Sequence, residues 1–515
     1  MPPSDVRIGR TVTGLLDRVA GTRSGKTFLI TEDGELTYGD LVSRSGRAAA
    51  ELLSAGVRHG DRVVVALPNC AEVLVLLLAC ARIGAAFAPV NPRGTAPEIG
   101  AIIRQAAPRL VVVNGQSSIT EAVAEAGIGD LPVHDARELC SGTGTPPPPT
   151  ATPADTLLLI ATSGSTSAPK LVGQHHTAAV LAAEGFPAWL GLDESDRLLT
   201  VLPMFHGNAL NYSLLGALAA GASVVVLPRF SASRFWAQTR EFGVTQFNAM
   251  GRMGEILLRR PRQADEADNP VRICYSAWAP PEQRHRAFEE RFGLDLMVGY
   301  GLSESPYGTV WPLGGPKPFG SIGRLRQHPT LGRINEARVV DEHRQPVPPG
   351  VPGTLLLKNP AVMQGYFGLA EETGKILSEG WLNTGDIVRA DADGFFYFVG
   401  RSKEIIRRSG ENFAPVEVEE VLDEHPAVLM SAVVPVPSPL FEDDAKAFVV
   451  RRGDVTAIEL LEWCRESLAE FKLPRYLEFV DELPMTQTNR IAKGTLSRAR
   501  TTGEADLEHH RKQRT

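Results

Sequence analysis

From Arg62 onward, short runs rich in valine, leucine and isoleucine alternate with longer stretches of helical periodicity. Parallel strands need a crossover long enough to hold a helix, so this alternation predicts βαβ units and mostly parallel sheets. Strands are expected at 62–67, 85–90 and 109–113, with a helix over 70–83. After a Ser/Gly/Thr/Pro stretch at 141–153, read as a surface connector, the rhythm resumes. The second set runs through strands at 156–161, 197–202, 223–227, 271–276 and 294–298.

Beyond Gly320 the texture changes to glycine- and proline-punctuated short strands, which fits a small antiparallel unit. From about Gly400 the helix signals are those of a separate α+β domain. One helix opens at Pro415 with Val418, Val421 and Leu422 inward and Glu417, Glu419 and Glu420 outward. Thr456 and Glu459 form a capping box ahead of another, and both helices should pack on a strand at 429–434. The tail from Thr501 is polar and expected to be mobile. The fold class is therefore α/β: a large N-terminal lobe (1–400) and a smaller, mobile α+β domain (401–515). The lobe divides into two stacked sheet subdomains, about 1–150 and 151–320, and a β unit at 321–400.

Composition narrows the function classes. With 53 Lys+Arg against 60 Asp+Glu, the net charge is −7, spread without long like-charge runs, so nucleic-acid and membrane-surface partners are not expected. The five cysteines are scattered, never in a Cys-x-x-Cys spacing, and read as reduced, mostly buried thiols. The start lacks the apolar region of a secretory signal, and the longest apolar run, 73–81, is too short to cross a bilayer. A cytoplasmic protein is expected.

The first segment with chemistry is 156–170, an apolar strand running into a loop that ends in lysine. The hydroxyls of Thr162, Ser163, Ser165 and Thr166, the amides around Gly164 and the Lys170 ammonium make a cradle for polyphosphate. It is not a Walker A loop, because the second glycine and the Lys-Ser/Thr ending are missing. Taken alone, such a loop is more often a plain polar turn.

The loop resembles the signature loop of the adenylate-forming superfamily, which holds acyl-CoA synthetases, peptide-synthetase adenylation domains and luciferases. Further segments follow in that family's order: Pro203-Met-Phe-His206, Tyr300-Gly-Leu-Ser-Glu304, Gly380-Trp-Leu-Asn-Thr-Gly-Asp386, Gly400-Arg-Ser-Lys-Glu-Ile-Ile406, Gly410-Glu-Asn-Phe-Ala-Pro415 and Asn489-Arg-Ile-Ala-Lys493. The resemblance implies an acid–thiol ligase using ATP, Mg2+ and coenzyme A. Glu304 is then the magnesium carboxylate, since that cation takes oxygen ligands and keeps waters. Tyr300 offers its face to adenine, with Gly301 and Ser303 beside the nucleotide. Asp386 accepts from the ribose hydroxyls, assisted by Arg401. Lys493 bridges the attacking carboxylate and the α-phosphate, where two anions must meet. Thr162 and His206 stand near the reacting groups, His206 in a supporting role. Lys403 is the hinge of a domain rotation, and Gly410 lets pantetheine pass close to backbone.

His206 stands where amino-acid-activating members carry an aspartate, so a plain carboxylic acid is favoured over an amino acid. No carrier domain is evident after the small domain, which favours free coenzyme A. Trp278 replaces a small residue in the segment bordering the acyl pocket, and either narrows that pocket or points into the core. Ser167 replaces a glycine of the loop, and Asn489-Arg490 the Gly-Lys before the lysine. Two rivals stay open: an enzyme that loads a carrier-protein thiol, and a nucleotide-binding sensor without catalysis.

Overall fold

In the computed structural model, the strand Arg62–Ala66 pairs in parallel with Ala86–Pro89 on one side and Leu110–Val113 on the other. The structure describes residues 10–115, 117–127, 130–162, 169–402, 404–408, 411–438, 443–485, 491–501 and 503–508. The strand Thr156–Ala161, which the rhythm assigns to the second set, lies in this first sheet beside Ala86–Pro89 and returns antiparallel as Leu171–His175. Conversely, Thr27–Thr31, which precedes the alternating region, lies in the other sheet beside Ser223–Val226. Periodicity reveals that a strand exists, but its partner depends on long-range packing.

The second sheet has nine strands, with Gln246–Ala249, Ile273–Ser276 and Asp295–Leu302 consecutive and parallel. Its last parallel strand turns back antiparallel as Ser305–Val310. In both sheets successive residues feed different cores. Val63 and Val65 join one cluster and Val64 and Ala66 another, as do Leu198 and Leu199, because side chains alternate and both faces are covered. Helices Ala71–Ile83 and His176–Leu190 lie in the cluster common to the two sheets, which explains why Ala71–Ile83 is apolar nearly all round. Among the described residues no helix is long and apolar enough to cross a membrane.

The chain divides into two compact units. The larger is the α/β lobe with these two sheets. The smaller, built mainly from Asn383–Thr515, holds the four-stranded sheet of Val428–Pro437, Asp443–Arg451, Tyr476–Phe479 and Glu504–Asp506. Helix Pro415–Glu424 and the capped helix Ala457–Ser467 cover it through Val418, Leu422, Leu460, Leu461 and Cys464. Two expectations change here. Glu419 turns inward, accepting from the Val433 N–H at 2.6 Å. The tail forms a strand pairing with Tyr476–Phe479 and buries Leu507, because that sheet edge offers unpaired backbone groups.

Candidate active site

Strand Thr156–Ala161 delivers Thr162, whose N–H donates to the Lys170 carbonyl at 2.9 Å just before the chain re-enters the sheet at Leu171. Ser163, Gly164, Ser165, Thr166 and Ser167 lie outside the described residues. The Lys170 ammonium sits 2.6 Å from Glu372 Oε2 and 4.9 Å from the centroid of the Tyr366 ring. The Tyr366 hydroxyl in turn donates to Glu304 Oε1 at 2.8 Å. One tyrosine thus links the loop's lysine to the acid of the Tyr300–Glu304 segment. Burial pushes the Tyr366 phenol well above its ordinary range, and the Glu304 carboxylate adds to this, so it stays a donor. Hydrogen bonds from Lys170 and Lys375 hold Glu372 down at about 2. Both Lys170 and Glu372 are partly exposed, and water and salt weaken pairs of this kind. A polyphosphate could therefore replace Glu372 at small cost.

Tyr300 is fixed by its position opposite Thr309 in the antiparallel pair, and Gly308 makes room for it: a Cβ there would lie 2.3 Å from the Tyr300 carbonyl oxygen. The adjoining turn is held by Gln174, whose amide donates to the Ser303 carbonyl at 2.6 Å, and by the Met363 N–H, which donates to the Glu304 carbonyl at 2.8 Å. Gly301 is exposed at the end of the parallel strand. His206 donates its N–H to the Pro203 carbonyl, stacks 4.5 Å from the Phe205 ring, and precedes the π-helical turn Asn208–Leu214. Trp278 resolves one alternative. Its indole lies over helix Gly251–Arg259, where a Cβ on Gly254 would approach it to 2.6 Å, and edge-on to Phe288 at 5.9 Å. Two glycines that weaken the helix by about 1 kcal/mol each thus form a notch for the ring, which packs against the second core cluster.

In the smaller unit, Asp386 and Arg401 are direct partners across a hairpin. Asp386 is 4% exposed, and its Oδ1 lies 3.3 Å from Arg401 Nε. Lys493 Nζ stands 2.7 Å from Glu419 Oε1, 2.9 Å from Glu419 Oε2 and 4.0 Å from Glu404. Burial raises the Glu419 carboxyl above its ordinary range, against the opposing pull of Lys493 and the Val433 amide. Lys403, Gly410, Asn489 and Arg490 lie outside the described residues.

Comparison with known proteins adds the decisive observation. The model of the AMP-binding enzyme family matches residues 16–367, and that of the AMP-binding enzyme C-terminal domain matches 417–490. The chain belongs to the AMP-binding enzyme family. Within the adenylate-forming superfamily it lies in the acyl-CoA ligase branch, whose members use ATP, Mg2+ and coenzyme A. It is 34% identical over 504 residues to a sulfoacetate–CoA ligase from Cupriavidus necator, covering 94% of this chain and 96% of that protein. It is 30% identical to a crotonobetaine/carnitine–CoA ligase from Salmonella typhimurium, covering 96% and 100%. Among solved structures, an anthranilate CoA ligase in complex with anthranoyl-AMP superimposes with TM-score 0.86 at 26% identity, covering 96% and 98%. The o-succinylbenzoate coenzyme A synthetase of Bacillus subtilis, with ATP and magnesium ion, gives 0.85 at 27%, covering 95% and 99%.

The residues fit the AMP-binding family's ligands. Magnesium needs few protein carboxylates, and a single glutamate oriented by a phenol suits it; among the described residues no cluster of three or more His, Cys, Asp or Glu forms a denser cage. Sequence reading missed Tyr366, Glu372 and Glu419. Tyr366 lies in a short Gly-Tyr strand without charge, and Glu372 in the helix Ala370–Ile376, where its pairing with Lys375 looks like a solvated face. Glu419 was hidden by its helix, where one glutamate among four looks like a solvated face.

Proposed function

We propose that this acid–thiol ligase uses Lys170, Glu304, Tyr300, Asp386 and Lys493 in its first half-reaction. An oxygen of a small carboxylic acid attacks the α-phosphorus of ATP, the bond to the bridging oxygen breaks, and pyrophosphate leaves. The sulfur of coenzyme A then attacks the acyl carbonyl, AMP departs with the bonding pair, and the thiol proton passes to solvent. The observation that carries this assignment is the Lys170–Tyr366–Glu304 arrangement, in which one phenol ties a weakly engaged ammonium to an oriented carboxylate.

Lys170 and the hydroxyls of Thr162, Ser163, Ser165 and Thr166 hold the polyphosphate, and Glu304 holds magnesium, which neutralises phosphate charge when bound. Tyr300 stacks on adenine beside Gly301 and Ser303, and Asp386, backed by Arg401, accepts from ribose. Lys493 leaves Glu419 to bridge the two approaching anions, and His206 borders the acyl group. For the second half-reaction the small domain rotates about Lys403 and Gly410 faces the thiol's path. The five cysteines are free, which supports a reducing, cytoplasmic setting.

Incubation with mixed acids including sulfoacetate, ATP, Mg2+ and coenzyme A should yield an acyl-CoA and AMP by mass spectrometry. Accumulated adenylate without thioester would point to a carrier-protein acceptor. Tyr366→Phe keeps the ring over Lys170 but removes its hydrogen bond to Glu304; the KM for MgATP should rise about 3–10-fold, with the thermal midpoint little changed. Gly410→Leu should spare pyrophosphate exchange and slow thioester formation, and equal loss of both would contradict the two-conformation scheme.

A further inference from the structure

Among the described residues, the buried arginines are paired with acids, with one exception. Arg408 and Arg475 lie 3.0 and 2.8 Å from Asp444. Arg326, 1% exposed, has only neutral partners among the described residues. Its Nε donates to the Thr309 carbonyl at 2.9 Å, and Nη1 to the Tyr212 hydroxyl at 2.5 Å and the Pro306 carbonyl at 2.7 Å; Nη2 donates to the Tyr275 hydroxyl. The guanidinium lies 4.6 Å from the Trp189 ring centroid and 5.1 Å from that of Tyr212. Hydrogen bonds to neutral groups take four of its five N–H donors and leave its charge without an acidic partner among the described residues, a costly state for a group so deeply desolvated. Beside it, the Tyr307 hydroxyl is buried without a partner, its ring edge-on to Trp189 at 4.9 Å.

The position of this charge is informative. Tyr212 belongs to the turn that directly follows His206, Tyr275 lies three residues before Trp278, and Gly299 and Gly301 flank Tyr300. A Cβ on Gly299 would lie 2.6 Å from the Tyr275 hydroxyl and 2.9 Å from Arg326 Nη2, and one on Gly301 3.1 Å from the Tyr212 hydroxyl. The two segments assigned to the acyl group thus converge with the strand that carries Tyr300 on Arg326, and the glycines of that strand leave its backbone bare. Two residues of strand span about 7 Å, the reach of a short acid.

We propose that Arg326 binds a second anionic group of the acyl substrate, so that the acid is a short chain ending in a carboxylate or sulfonate. The assignment rests on the ligase reading above. A guanidinium attracts the oxygens of either group, and the phenol hydroxyls of Tyr275 and Tyr307 supply neighbouring donors. The far charge is then the counter-ion that Arg326 lacks, and an acid ending in a methyl or ester group leaves the guanidinium unpaired.

Pyrophosphate exchange with wild-type protein should favour malonate, succinate and 3-sulfopropionate over propionate, butyrate and monomethyl malonate by about 10²-fold in kcat/KM. Arg326→Met should reverse the order, accepting neutral acids in place of dianions, and Arg326→Lys should keep the wild-type order at reduced rate. Exchange with neutral acids as good as with dianions in the wild type overturns the subsite, whether or not the methionine variant folds. So does a folded Arg326→Met variant that keeps the wild-type preference. Exchange with no acid at all overturns the ligase reading itself.

Discussion

Lys493→Ala is expected to lower acid-dependent ATP–pyrophosphate exchange by about 10²–10³-fold, the range seen when one preorganised group facing transition-state charge is removed. The carboxylate and the α-phosphate repel as they approach, and no other described cation of the smaller unit sits where Lys493 does, between Glu419 and Glu404. The same variant should still convert supplied acyl-adenylate to thioester, because that step needs no bridge between two anions. Removing the ammonium also leaves Glu419 buried without its partner, so part of any loss could reflect instability. Lys493→Ala combined with Glu419→Gln separates the two: the double variant should regain thermal midpoint but not exchange. Exchange at near wild-type rate in a folded Lys493→Ala protein would remove the lysine from the chemistry.

Asp444→Ala is expected to destabilise the smaller unit by about 3–5 kcal/mol, the cost of removing one partner from a buried ion pair. Asp444 is fully buried and accepts from Ser438 Oγ at 2.7 Å while pairing with both Arg408 and Arg475. Two desolvated guanidiniums lose their carboxylate in one substitution. Arg408 still donates to the Leu473 and Phe471 carbonyls, and Arg475 still faces Asp506 and Glu508 at 3.6 and 3.8 Å. Urea unfolding should show the loss, and limited proteolysis should cut the smaller unit first. A change below about 1 kcal/mol would mean that water replaces the carboxylate, and that the burial seen here does not persist in solution.

The strands Arg62–Ala66, Leu110–Val113 and Ser223–Val226 were legible because each is buried on both faces, so their apolar runs stand out against their helices. Their neighbours were not. Sheet membership of Thr27–Thr31 and Thr156–Ala161 follows from contacts between residues far apart in sequence, which no local pattern records. In the candidate site, the ordered motifs pointed to Glu304, Asp386, Arg401 and Lys493, and the structure sets Asp386 opposite Arg401 in one hairpin. The supporting groups stayed hidden for a physical reason. Tyr366, Glu419 and Arg326 act through burial and through partners on other elements, and exposure cannot be read from residue type alone. Trp278 shows the converse: a large residue in a pocket segment finds its room in a notch cut by Gly251 and Gly254.

The crossed strand membership also shapes how the chain must emerge during synthesis. Leu29 meets Leu36 in a local hairpin, but its other neighbour, Val224, emerges much later, so one edge of the earliest strand stays bare on the ribosome until the second sheet has been translated. Over that interval the largely apolar helix Ala71–Ile83 has a floor but no roof, and the nascent lobe is at its stickiest. Slow translation across this stretch would lengthen the demand for chaperones, while a truncation ending before Ser223 should yield aggregates in place of a smaller folded domain.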